Sequence, residues 1–121
     1  MSLKATISGE FTIVNESSNE KLLNLSLSSI FGNVSSIKEH VFVERQISSG
    51  DGAVSVHTGG IGTIKGFLLV VESGTVTVKH DSNSTGIDIT SSALVLFGKL
   101  ASITIETLSA TDISVKYVLF G

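Results

Sequence analysis

The chain holds no cysteine, no proline and no tryptophan. Without cysteine there is no disulfide, no thiolate metal site and no cysteine nucleophile. The lack of disulfides fits an intracellular origin or a particle assembled in cytoplasm. Without proline every turn falls to Gly, Asn, Asp and Ser, and X–Pro isomerisation is removed as a source of slow folding. Charge is scarce as well. Only 16% of the 121 residues are Asp, Glu, Lys or Arg, against about a quarter in an average globular chain. The 8 basic residues are scattered and the net charge is −3, so there is no electrostatic footprint for nucleic acid. No apolar run approaches the ~18 residues of a membrane helix. Behind Met1 and Lys4 an apolar stretch is interrupted by Thr6, Ser8, Gly9 and Glu10, which argues against a signal peptide.

What the chain has in quantity is Val, Ile and Thr, about a third of all residues, with Ser the commonest single type. Such β-branched side chains are stiff at χ1 and pack well on a pleated surface. Alternation with a period of two runs through most of the sequence. Residues 3–14 set Leu3, Ala5, Ile7, Phe11 and Ile13 against Lys4, Thr6, Ser8, Glu10 and Thr12, with Gly9 marking a bend. Asn15–Glu20 is a polar turn, and residues 21–30 resume with Leu23, Leu25 and Leu27 before Phe31-Gly32-Asn33 turns the chain. Ser48–Gly52 reads as a hairpin loop between residues 37–47 and 53–58, and Ser73-Gly74 as a tight two-residue hairpin after Gly66–Val71. The final segment, Asp112–Gly121, sets Ile113, Val115, Tyr117 and Leu119 on one face with Ser114 and Lys116 between them, and is apolar enough to need a sheet or a partner subunit to cover it. Roughly ten short, mainly antiparallel strands at even spacing predict an all-β fold, a single-domain β-sandwich or jelly roll over residues 1–121.

Candidate chemistry is thin. Asp81-Ser-Asn-Ser-Thr-Gly86 supplies the oxygens and glycine of half a calcium loop, with Asp88 a further carboxylate, but the twelfth position is Ser92 and strands stand where the motif needs helices. A polar turn is the simpler reading. His40, His57 and His80 are far apart in sequence and none has a neighbour at metal-ligand spacing. Gly59-Gly60-Ile61-Gly62 lacks the lysine and helix of a phosphate loop, and no Gly-x-Ser-x-Gly elbow is present. Asn15, Asn24, Asn33 and Asn83 head glycosylation sequons that matter only in a secreted chain. The expectation is a protein with no catalytic residues, no metal and no cofactor.

Contact surfaces are more informative. On Lys38–Glu44, Phe42 shares the polar parity with Lys38, His40 and Glu44. On the final strand, Val118 and Phe120 share the parity of Ser114 and Lys116. Phe31 and Phe97 stand beside Gly32 and Gly98. Large apolar residues off the core face mark interaction sites when they cluster. Phe31, Phe42, Phe97, Val118 and Phe120 are therefore the candidate subunit-interface residues; the competing reading buries both faces inside the monomer.

The segment Ile64–Val78, the polar loop after it, and Ala93–Ile105 followed by the terminal strand resemble the small all-β structural proteins of tailed bacteriophage virions. The likeness lies in a strand, a Gly-containing hairpin, a short apolar strand ending in glycine, then Ile-Thr-Ile and a last strand, and covers about the C-terminal half. The resemblance implies a non-enzymatic virion structural protein assembled in the bacterial cytoplasm, foremost a capsid decoration or cement subunit. Its partners would be copies of itself, with a trimer favoured, and the major capsid protein or other virion proteins. Tail, head–tail joining or fibre components are the neighbouring possibilities. A carbohydrate- or receptor-binding sandwich is the alternative of another class, and the lack of tryptophan weighs against it.

Overall fold

In the computed structural model the described residues are 3–56, 61–81 and 85–121, with the side chains of Ile30, Phe31 and Asn33 outside them. The chain parts into two compact units, Met1–Lys38 and Glu39–Gly121.

The first unit holds β1 (Leu3–Thr6), β2 (Glu10–Val14), β3 (Lys21–Ser26), a single-turn helix α1 (Leu27–Phe31) and β4 (Asn33–Ile37). Antiparallel pairing joins β1 to β4 and β2 to β3. The β2–β3 turn is the predicted polar cluster. The Asn15 side-chain oxygen accepts from the Ser17 and Ser18 amides, and Asn19 takes a positive φ of 59°. This is the local hydrogen bonding that suits Asn to turns. The alternation expected to run on through Leu27 stops at Ser26, where α1 begins; Gly32, with φ 62°, ends that helix. In the β2–β3 hairpin, Phe11 lies opposite Leu25 and Ile13 opposite Leu23. Those four side chains share one face by the period of two. Every residue of both strands is exposed.

The second unit is built from β5 (His40–Ile47), β6 (Val54–Ser55), β7 (Ile64–Val71), β8 (Thr75–His80), β9 (Ile87–Thr90), β10 (Ala93–Leu100), β11 (Ile103–Thr107) and β12 (Ile113–Phe120). They form two four-stranded antiparallel sheets, in the orders β10-β7-β12-β5 and β6-β11-β8-β9. Along the chain the strands alternate between the sheets, except that β8 and β9 are neighbours in one. That order is the two-Greek-key arrangement of a jelly roll. The all-β sandwich expected from the sequence is therefore present, and its eight strands all belong to this second unit.

One core joins the sheets. Val41, Leu119, Phe67 and Leu96 form one cross-strand row of the first sheet, and Val43, Tyr117, Leu69 and Leu94 the next. They pack in one cluster with Val76, Val78, Ile89, Ile103 and Ile105 of the second sheet. Phe67 and Tyr117 meet with ring centroids 5.9 Å apart. The terminal strand β12 is central, held between β5 and β7, and Glu39 and Gly121 exchange both backbone hydrogen bonds at 3.0 Å. Its apolar character is thus explained by the sheet.

Two expected hairpins are absent. Ser73-Gly74 does not fold β7 back on β8: Val71 pairs with Val115, whereas Thr75 pairs with Thr90 in the other sheet. The connection arches from one layer to the next, with Gly74 at φ 85° and its carbonyl accepting from Ser91 at 3.0 Å. Ser48–Gly52 likewise joins β5 of the first sheet to β6 of the second. A positive-φ glycine makes a tight turn in either geometry, so the turn residues alone do not say which layer the next strand joins.

Candidate interaction surface

The two sheets differ on their outer faces. On the second sheet the outward residues are polar. The Thr77 hydroxyl donates to Asp88 Oδ1 at 2.7 Å, the Thr75 and Thr90 hydroxyls lie 2.7 Å apart, and Thr104 stands opposite Lys79. This is the ordinary division of an antiparallel sheet, core on one side and water on the other.

The first sheet breaks it. Its register places Phe42 opposite Val118, Val118 opposite Leu68, and Leu68 opposite Val95. An apolar row therefore crosses all four strands, from edge to edge, on the face away from the core. Strand spacing makes that row roughly 15 Å wide. The next row towards the chain end is His40, Phe120, Gly66 and Phe97; the next in the other direction is Glu44, Lys116, Val70 and Ala93. Phe42 is 58% exposed, Val70 46% and Val95 37%. Leu68, Phe97 and Val118 are partly exposed.

Phe120 is different. Its ring lies over Gly66, whose missing side chain leaves the room, and it meets Phe97 edge-on with centroids 5.9 Å apart. It is 4% exposed, so unlike Phe42 it offers almost no surface to a partner. Phe97 is not at a strand end: β10 continues to Leu100 through an irregularity at Gly98 and Lys99. Such a bulge bends the strand and re-aims its side chains.

Four of the five candidate interface residues, Phe42, Phe97, Val118 and Phe120, thus share one sheet face. Phe31 belongs to the first unit and its side chain lies outside the described residues. Sequence reasoning missed Leu68, Val70 and Val95. Their strands read as apolar throughout, and only the pairing register reveals which residues turn outward. The exposure of Val70, on the interior strand β7, argues against burial of both faces inside the monomer.

Polar chemistry gathers elsewhere. A cleft beside the charged row is lined by Glu44, Arg45, Gln46, Glu72, Ser114, Val115 and Lys116. Lys116 and Glu72 pair across it at 3.2 Å, both about half exposed. At such exposure the pair adds little stability. Asp81 heads the loop considered for calcium. Its Oδ1 accepts from the Ala101 and Ser102 amides, and its Oδ2 lies 2.9 Å from His80 Nδ1. The Ala101 amide first, then His80, hold its carboxyl below the ordinary value of 3.8. The carboxylate is engaged in tying the β10–β11 turn to the end of β8. Ser82, Asn83 and Ser84, like His57 and Gly59-Gly60, lie outside the described residues. Among the described residues no three His, Asp or Glu side chains are placed to hold a metal ion, and no helix is long and apolar enough to cross a membrane.

No family model and no curated protein matches the chain. Among solved structures it is similar to ethanolamine utilization protein Q from Salmonella typhimurium, at 10% identity and a TM-score of 0.44, over 96% of this chain and 97% of that one. That likeness is too distant to bear on function.

Proposed function

We propose that this protein is a non-enzymatic structural subunit that works by burying the outer face of its first sheet against other protein surfaces. The observation that carries the reading is the Phe42–Val118–Leu68–Val95 row, open on a sheet whose counterpart carries an ordinary polar exterior. Covering such a row removes apolar surface from water at about 25 cal/mol per Å². The row itself contains no charge, so its burial incurs no ion desolvation. A symmetric particle repeats such a contact many times, and modest contacts sum through multivalency.

The setting we propose is a bacteriophage virion, and within it capsid decoration. This rests on the resemblance of the Ile64–Val78 and Ala93–Ile105 segments and on the recurrence of jelly rolls in capsid proteins. The latter is an analogy of fold. Copies of the same chain are the first partners, followed by the shell they decorate.

Sedimentation of the wild type, Phe42→Ser and Glu106→Ser tests the reading. Glu106 lies on the polar outer face of the second sheet, where it stands opposite Thr77. The wild type and Glu106→Ser are expected to assemble into multi-copy species, and Phe42→Ser to remain at the single-copy mass of 12.6 kDa. Assembly of Phe42→Ser at wild-type strength contradicts the proposal.

A further inference from the structure

We infer that the occupant of this sheet face is the β2–β3 hairpin of a second copy of the chain. The inference rests on the reading of the sheet face as an interface and names its partner.

Among the described residues the hairpin carries a second exposed apolar surface. Phe11 and Ile13 on β2 oppose Leu25 and Leu23 on β3, and they are 51%, 46%, 38% and 37% exposed. A lone two-stranded ribbon is marginally stable in water unless something packs on its apolar face. Its other face carries Glu10, Thr12, Asn24 and Ser26; at the turn end, where the register shifts, Val14 and Leu22 are exposed as well, at 42% and 63%, so the four paired residues form the continuous apolar face. Neither that apolar face nor the row on the sheet contains a charged residue. Face-to-face β packing at about 10 Å brings both together without desolvating an ion.

Area and closure select the arrangement. The exposed parts of the two faces amount to several hundred Å² of apolar surface in one contact, and a reciprocal pair makes that contact twice, which carries the total past the roughly 1,000 Å² of a specific interface. Hairpin on hairpin, or sheet on sheet, covers one face and leaves the other open. Hairpin on sheet covers both, in a reciprocal pair or in a closed ring such as a trimer.

Complementation between variants tests this. Phe11→Ser with Ile13→Ser disables the hairpin and keeps the sheet; Phe42→Ser disables the sheet and keeps the hairpin. All three side chains are exposed, and circular dichroism confirms that each variant retains its β signal. Light scattering is expected to find each variant alone at 12.6 kDa. Mixed in equal amounts, the two are expected to form a 1:1 pair, because one intact hairpin then meets one intact sheet. If Phe42→Ser dissociates while the hairpin variant assembles like the wild type, the hairpin is not the occupant although the sheet face remains an interface. If the hairpin variant dissociates while Phe42→Ser assembles, the sheet-face reading itself falls. A wild type that stays monomeric at every concentration, or two monomeric variants that do not pair, overturns the inference.

Discussion

At the scale of single residues the fold depends on places where a side chain is absent or a polar group is fully used. A Cβ on Gly66 would collide with the Phe120 ring. We expect Gly66→Ala to cost about 1–3 kcal/mol in urea unfolding, the usual range for overpacking. It is also expected to expose Phe120 and change the shape of the outer face. Asp81 makes a second prediction. Its carboxyl titrates below 3.8 in the folded protein, so the stability it adds is fully present above that value. This stability is lost as pH falls through the lower, folded-state value. Urea midpoints measured down an acid series should therefore fall less steeply in Asp81→Asn than in the wild type; equal slopes would show that Asp81 contributes nothing. Phe42 illustrates what was legible at this scale. Its parity among Lys38, His40 and Glu44 set it off the core face, and it is the most exposed residue of the apolar row. Val70 was not legible, because an uninterrupted run such as Gly66–Val71 carries no alternation to orient it.

At the scale of elements, strand existence was easier to read than strand partnership. The alternation in Ile103–Thr107 and Ile113–Phe120 located both strands, and the Asn15 cluster located the β2–β3 hairpin. The Ser73-Gly74 and Ser48–Gly52 turns misled. Hairpin chemistry is local, but the choice between pairing with the preceding strand and crossing to the other layer is made by the core. Here Val76 and Val78 pack against the first sheet from the second, which requires β8 to leave β7. Gly74 is the pivot of that crossing. At φ 85° it adopts a conformation that suits glycine, and a Cβ there would strike Ile113 and Ser109. Gly74→Ala should lower stability by about 1–3 kcal/mol through strain and crowding. In a solvent-exposed two-residue hairpin there would be strain alone. A loss under about 0.5 kcal/mol, typical of surface changes, would contradict the arch.

At the scale of the whole molecule, the low charge and high mean hydropathy of +0.42 find a structural counterpart in two open apolar faces. One polar and one apolar exterior on the same jelly roll is an asymmetry that monomer stability does not require. Replacing an exposed Phe42 by serine should change the stability of the isolated chain by no more than about 0.5 kcal/mol, as at other surface sites. The effect is expected in assembly instead. Composition made an all-β domain of low charge legible, but it did not locate the patch, because the apolar residues that face outward and inward on the first sheet are the same types. Only register separates Leu68 from Leu69.

The absence of cysteine offers the most direct measurement. Val95→Cys places one thiol in the apolar row, and Thr104→Cys places one on the polar exterior of the second sheet. Labelling rates with a soluble thiol reagent are compared across a concentration series. A face that closes between copies predicts that the thiol at position 95 reacts more slowly as concentration rises, while the thiol at 104 reacts at a constant rate. Rates at 95 that do not depend on concentration would contradict the assignment of the outer face of the first sheet as an interface between copies.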